Sequence, residues 1–527
     1  MKKIYFGGPI RTMTDGEMPY AVLTEDGKIT ALLNAAQAAA VTDAQPVDLG
    51  GRTLLPGFID AHSHFSGVAA ELMQIDLDGC TSVEAIQSRI TTWIDQNRPE
   101  AGGWITCAGY DHNDLPEARN ITRWELDAVS AGHPLVVKHK SGHMGVFNSL
   151  ALEMLGVDEN TPCPSGGTMG RTAEGQLNGY MEEAAMSALT RRMPPIDLQV
   201  YMECMAKAQQ IYFSYGITTA QEGAIRNILP QLYAQAIREK MFDIELIGYS
   251  DLRSMEAVET HLQGSLRDYD GNFRVGGYKI FLDGSPQGRT AWMRKPYLGG
   301  DPDYVGYPMM EDEAVYAAVR RACMEKRQIL AHCNGDMACE QFLCACERVQ
   351  AEGYDIAAIR PVMVHCQLLG ADQIGRAKAL GMILSFFVAH VWHWGDVHVR
   401  NFGPERGEQI SPVALAVELG IPYTFHQDAP VIKPDMLETL WCAVNRRSKS
   451  GRVLGPALAV SAEDALRAVT VNAAWQYGEE GKKGILAPGM AADFVILDRD
   501  PMAVPPEELR DLKVCMTIKK DKVVYQA

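Results

Sequence analysis

His62 and His64 close the segment Asp60-Ala61-His62-Ser63-His64, directly after the apolar run Leu54-Leu55-Pro56-Gly57-Phe58-Ile59. Successive side chains of an extended strand alternate faces, so the two imidazoles share one side and can grip a single cation at about 2.0–2.1 Å per nitrogen. Other polar residues occupy the same kind of place. His332 follows Gln328-Ile329-Leu330-Ala331, His365 follows Pro361-Val362-Met363-Val364, and Asp428 follows Tyr423-Thr424-Phe425-His426-Gln427. Singly, each could be a buried histidine bonded to a carbonyl or a capping aspartate. Together they end apolar runs in the same way, and one shared metal accounts for all five.

Lys279 lies inside another such run, Tyr278-Lys279-Ile280-Phe281-Leu282. Burial disfavours an ammonium and lowers its pKa, leaving a nucleophilic amine. Such an amine can add carbon dioxide, and the resulting carbamate is a two-oxygen anion able to bridge two metal ions about 3.5–4 Å apart.

The elements that must position these residues are β-rich runs alternating with helical patterns, the signature of βα units around a parallel sheet. After the strand before His62 come Ile217–Ala220, Ile244–Ile247, Tyr278–Leu282, Ile329–His332, Val362–His365, Met382–Phe387 and Tyr423–His426. Eight parallel strands predict an α/β fold, a closed (β/α)8 TIM barrel over 56–479, whose chemistry sits at the carboxyl ends of the strands. The stretch between His64 and Ile217 far exceeds one crossover, which predicts an insertion subdomain over roughly 66–200. Capping boxes at Thr81 to Glu84 and Thr122 to Glu125 start helices there, and Leu135-Val136-Val137 reads as a strand. Residues 1–55 and 480–527 share short β-rich stretches separated by turns, such as Asp26-Gly27 and Pro488-Gly489. Neither end can bury a core alone, so they are expected to pair into one small β-sandwich.

With 527 residues, 47% of them hydrophobic and 22% charged, the chain has the composition of an ordinary globular protein. Its 49 Lys and Arg against 66 Asp and Glu give a formal charge of −17, which opposes nucleic-acid and anionic-membrane partners. No signal-type apolar segment and no membrane-length apolar run stand out, which predicts a cytoplasmic protein. The twelve cysteines form no CxxC pair and read as reduced thiols.

Gly57-Phe58-Ile59-Asp60-Ala61-His62-Ser63-His64, Lys279-Ile280-Phe281-Leu282-Asp283-Gly284-Ser285, the Trp394-Gly395-Asp396 loop, Asp428-Ala429-Pro430-Val431 and Gly489-Met490-Ala491-Ala492-Asp493 together resemble the amidohydrolase superfamily. The resemblance is to its YtcJ-like branch, which includes N-substituted formamide deformylases, and spans nearly the whole chain. It implies that His62, His64 and Asp428 hold one divalent metal, that His332 and His365 hold a second, and that carboxylated Lys279 bridges them, with two zinc ions expected. Mixed histidine and carboxylate sites also accept manganese, iron or nickel. Two departures stand out: Gln427 where Ser is common in this branch, and Pro286-Gln287 where smaller residues are frequent.

The implied reaction is hydrolysis of a non-peptide amide or N-formyl bond of a small molecule. Asp428 takes the proton of the attacking water and returns it to the leaving nitrogen, with His365 as the second catalytic residue. Trp392, Trp394, Arg289 and His143, the last in a Ser141-Gly142-His143 pattern resembling this branch, are the expected substrate-binding groups. Deamination or cyclic-amide ring opening is the alternative chemistry. A non-catalytic scaffold, the remaining alternative, should lack one or more of the six ligands, all of which are present. A homodimer is expected.

Overall fold

The computed structural model describes residues 1–527 except 17, 131, 195 and 196. They divide into two compact units, Met1–Phe65 with Gln209–Ala527, and Ser66–Ala208.

The larger unit is built on a parallel sheet of eight strands: β1 (Phe58–Ile59), β2 (Ile217–Ile225), β3 (Glu245–Asp251), β4 (Phe273–Phe281), β5 (Gln328–Cys333), β6 (Val362–His365), β7 (Ile383–Phe386) and β8 (Tyr423–Phe425). Each strand pairs with its neighbour in sequence, and helices such as Leu229–Arg238, Asp312–Glu325 and Asp336–Ala351 lie in the connections. This is the TIM-barrel arrangement. The strands are Val- and Ile-rich and buried along almost their whole length, as a parallel sheet covered by helices requires. Ile59, Ile247, Leu330, Val362, Val364 and Ile383 pack into one cluster.

The predicted closure differs in detail. No strand ladder joins β8 to β1 among the described residues. Instead the His64 N–H donates to the Ala429 carbonyl at 2.7 Å, just past both strands. The cause lies in how the apolar run 53–59 is shared. Thr53–Pro56 pairs with Phe494–Leu497 in a different sheet, leaving two residues for β1. The switch occurs at Gly57, where a Cβ would lie 2.5 Å from the Thr218 side chain.

Two further four-stranded sheets use the chain ends. One comprises Lys2–Phe6, Ala21–Glu25, Lys28–Leu33 and Gln45–Asp48, the other Thr53–Pro56, Phe494–Leu497, Val514–Lys519 and Lys522–Gln526. Tyr5, Val22 and Ile29 of the first share a core with Leu54, Phe494 and Ile518 of the second. Beside this core, Lys519 donates to Asp493 at 2.6 Å and to Glu245 of β3 at 2.9 Å. Lys483 also bonds Glu245, as well as Glu479 at 2.8 Å.

The unit Ser66–Ala208 holds a six-stranded mixed sheet in the order Gly167–Arg171, Leu177–Glu183, Met144–Phe147, Leu135–His139, Ile105–Tyr110, Ile75–Asp76. Of the capping box predicted at Thr122 the Glu125 half is present, with Glu125 accepting from the Thr122 N–H and hydroxyl at 2.7 and 2.8 Å. That at Thr81 is not. The helix Val83–Asn97 is capped one residue later, by Ser82 accepting from Ala85 N–H, because Ser is an equally good cap and adjoins the first helical residue.

A second correction concerns Trp394-Gly395-Asp396, expected as a loop. It lies inside the helix His390–Phe402, where Gly395 lets Leu454 pack against the backbone; a Cβ there would meet its Cδ1 at 2.4 Å. All twelve cysteines are free thiols. No described helix is long and apolar enough to cross a membrane.

Candidate active site

The six residues singled out by spacing converge at the carboxyl ends of the strands. His62 and His64 follow β1, Lys279 lies in β4, His332 in β5, His365 ends β6, and Asp428 follows β8. Asp428 Oδ1 stands 3.3 Å from His62 Nε2 and 3.4 Å from His64 Nε2, and Asp428 Oδ2 is 3.9 Å from His365 Nε2. His365 Nε2 in turn lies 3.0 Å from His332 Nδ1, and Lys279 Nζ lies 3.0 Å from His62 Nε2.

The backbone is shaped for this convergence. His365 and Asp428 adopt φ of 79° and 54°, a left-handed conformation costly for residues with a Cβ. It turns each side chain across the mouth where its strand stops. Gly223 of β2 leaves room for the histidine pair, since a Cβ there would come within 2.8 Å of the His62 ring and 2.9 Å of the His64 ring.

Hydrogen bonds behind the site set which ring nitrogen faces inward. The Gln221 amide donates to the Ala61 carbonyl at 2.8 Å and to the Tyr477 hydroxyl at 3.0 Å, so its Oε1 is the group that meets His62 Nδ1 at 2.5 Å. His62 therefore carries its proton on Nδ1 and presents a lone pair on Nε2. His365 Nδ1 meets His426 Nε2 at 3.1 Å, and His426 Nδ1 meets the Ser385 hydroxyl at 2.9 Å. His365 Nε2 faces the centre. His332 Nε2 lies 3.0 Å from the Asn334 amide nitrogen and 3.3 Å from the Gly284 carbonyl, and its Nδ1 faces His365.

Burial drives these imidazoles toward the neutral form, His62 to about 4 and His332 to about 3, with His365 and His426 well below the usual histidine value. Burial alone would raise the Asp428 carboxyl, but His365, His62 and His64 hold it well below the ordinary carboxylate range. Burial lowers Lys279 to about 7 against the opposing pull of Asp428. At 1% exposure it has no carboxylate within ion-pair distance among the described residues.

This arrangement fits a bound cation. Asp428 Oδ1 is buried and accepts no hydrogen bond, although two imidazole nitrogens face it. His332 Nδ1 and His365 Nε2 lie 3.0 Å apart. Ligand atoms each about 2.0–2.1 Å from one cation stand roughly 3–3.4 Å apart, which is the spacing of these donors.

Sequence reasoning missed Gln221, Ser385, Asp283 and His426 as functional residues. His426 and Asp428 have the same two-residue spacing that joins His62 and His64, and this was the available signal. Asp283 carried no such mark. It is buried and accepts from the Trp292, Asn334 and Gly335 N–H groups at 3.0, 3.0 and 2.7 Å, tying the segment after β4 to that after β5.

Each expected substrate group has partners within the chain. Arg289 donates to the Gly299 carbonyl and lies over the Tyr297 ring at 5.2 Å. Trp392 packs edge-on against Trp441 at 5.3 Å, and Arg510 lies over both rings. Trp394 is buried against His390 and Phe387. His143 belongs to the other compact unit, where Glu183 at 3.2 Å raises its pKa. Gln427 turns away from the six residues and donates to Thr439 Oγ1 at 2.6 Å, and the Pro286 carbonyl accepts from Asn401 at 3.1 Å. Asp111, His112 and His139 also gather in the smaller unit. There the Ser141 N–H donates to His139 Nδ1 at 3.0 Å, so Nε2 carries the proton and donates to Asp111 at 3.2 Å, a hydrogen-bonded pair complete without a cation.

Against known proteins, the amidohydrolase family model matches residues 45–525. The chain is 26% identical to a putative amidohydrolase, YtcJ, of Bacillus subtilis (strain 168), over 100% of both chains. It is 28% identical to the N-substituted formamide deformylase of Arthrobacter pascens, over 96% of this chain and 95% of that one. An uncharacterized metal-dependent hydrolase from Pyrococcus horikoshii OT3 has the same fold, with a TM-score of 0.79 at 24% identity over 96% of this chain and 99% of that chain. With a family match of this length, the chain belongs to the amidohydrolase family, a class of metal-dependent hydrolases.

Proposed function

We propose that the chain hydrolyses a carbon–nitrogen bond of a small non-peptide amide or N-formyl compound. The observation that carries this reading is the orphaned, buried Asp428 Oδ1 between the His62 and His64 nitrogens. His62, His64 and Asp428 would hold one divalent ion and His332 and His365 a second, with Lys279 as a carbamate between them, and zinc suits the mixed nitrogen and oxygen donors. Such ions lower the pKa of water toward about 7 and polarise a carbonyl.

The chain's own residues supply the proton traffic. Asp428, an acceptor kept ionised beside neutral imidazoles, takes the proton from the attacking water and delivers it to the departing nitrogen, which otherwise leaves poorly as an amide anion. His365, whose Nε2 lies 3.9 Å from Asp428 Oδ2, is our second candidate catalytic residue. Trp392, Trp394, His143 and Arg289 remain our candidates for the organic part of the substrate. We further read the two terminal sheets as one β-sandwich, residues 66–200 as an insertion, and the protein as a cytoplasmic homodimer.

The test is a hydrolysis screen on zinc-loaded protein with N-formyl and N-acyl amines and cyclic ureas, assayed for released amine. Amine release that stops on chelation and returns with zinc is expected, whereas ammonia release or ring opening alone would overturn the reading. Two variants probe the centre. Lys279→Ala is expected to reduce bound metal from two ions to one per chain, read by elemental analysis. His426→Phe, which removes the acceptor behind His365, is expected to weaken metal affinity about 10–100-fold, read by competition with a chromophoric chelator.

A further inference from the structure

Arg226 directly follows β2, at the strand end that also carries Gln221 and Gly223. Its guanidinium lies over the Phe281 ring at 5.1 Å, and Lys279 Nζ lies 5.2 Å from the same ring centroid. One phenyl ring therefore relates the two cations, and the guanidinium carbon is no farther from Nζ than those two short distances combined. Phe281 also packs against His332, with ring centroids 5.7 Å apart.

Arg226 is solvent-exposed, and no carboxylate of the described residues comes within ion-pair distance of it. Three other arginines of the larger unit are committed to other groups. Arg289 is bonded to Gly299, Arg294 to Glu340 and Asp372, and Arg376 to Glu340 and Glu347. Arg226 thus combines a free donor fork with a side chain steadied by cation–π contact beside the candidate centre. With a formal charge of −17 the protein as a whole repels anions, so an anionic substrate needs a local cation at the entrance.

We infer that Arg226 anchors a carboxylate of the substrate, and that the amides accepted are anionic, of the N-formyl or N-acyl amino acid class, with the carboxylate a few bonds from the scissile carbonyl. This rests on the hydrolase reading above and narrows it. A planar guanidinium pairs with a carboxylate through two parallel N–H···O bonds, which fixes the orientation of the substrate as well as holding it. The arginine predicted from sequence for this task, Arg289, already donates to a backbone carbonyl.

The test compares zinc-loaded wild type, Arg226→Gln and Arg226→Lys on N-formyl amino acids and on the matching N-formyl amines that lack the carboxylate. Binding is measured by calorimetry, hydrolysis by released amine, and metal content by elemental analysis. For the anionic series, Arg226→Gln is expected to raise Kd and KM roughly 10–100-fold with little change in kcat, and Arg226→Lys to recover part of the loss. The neutral series should not respond, and metal content should stay constant. Equal losses in both series, or a fall in metal content, would show that Arg226 serves Lys279 or the local fold and would overturn the inference. Binding that depends on Arg226 without hydrolysis of either series would uphold the carboxylate anchor and overturn the hydrolase reading.

Discussion

Asp428→Asn is expected to lower kcat by about 10²–10⁴-fold, the usual contribution of a positioned general acid–base, while the protein stays folded and retains most of its metal. The amide keeps an oxygen where Asp428 Oδ1 faces His62 and His64 at 3.3 and 3.4 Å, so coordination at that position is preserved in kind. It cannot take a proton from water, and that is the function under test. Steady-state kinetics with elemental analysis on the same sample separates the two roles. Loss of activity in step with loss of metal would reduce Asp428 to a ligand. Loss of activity at constant metal content would identify it as the proton carrier.

Glu245→Gln is expected to destabilise the larger unit by about 3–5 kcal/mol, the range for removing one partner of a buried charge pair. Glu245 opens β3 and is the shared acceptor of Lys483 and Lys519, both almost fully buried. An amide leaves those ammonium groups facing a neutral oxygen, with Glu479 and Asp493 as their remaining counter-charges. Burial by itself would raise the Glu245 carboxyl, but Lys483 and Lys519 hold it well below its ordinary value. The sign of the pH dependence follows. The contribution is fully present above the unfolded carboxylate pKa of about 4.3, and is lost as pH falls below it toward the folded value. Urea denaturation at pH 7 and at pH 4 checks both statements. The wild-type advantage over Glu245→Gln should shrink at the lower pH, and a difference independent of pH would locate the effect in packing.

The barrel was legible because its strands are apolar runs closed by polar residues, and a parallel sheet buried on both faces leaves no other reading of Ile329-Leu330-Ala331-His332 or Val362-Met363-Val364-His365. The metal-ligand candidates were legible for the same reason, since a strand's last residue lies at the mouth of the barrel whatever its partners are. Which loop side chains stay free of partners within the chain was not. Arg289 was nominated by its place after β4, but whether a loop arginine is free depends on the carbonyl that the returning chain brings to it, here that of Gly299. Trp392 and Trp394 were expected in the loop after β7, whereas they lie in the helix His390–Phe402, where Gly395 gives room to Leu454.

Local order along the chain was thus enough for the eight-strand plan and for the identity of His62, His64, Lys279, His332, His365 and Asp428, because strand periodicity and strand ends are properties of neighbouring residues. The His62 tautomer enforced by Gln221, the contact of His426 with His365, the strained φ of His365 and Asp428, the sharing of residues 53–59 between two sheets, and the freedom of Arg226 came only with the folded chain. Each depends on a partner far away in sequence, and nothing in a residue's own neighbourhood specifies which distant hydrogen-bond acceptor or ring will come to rest beside it.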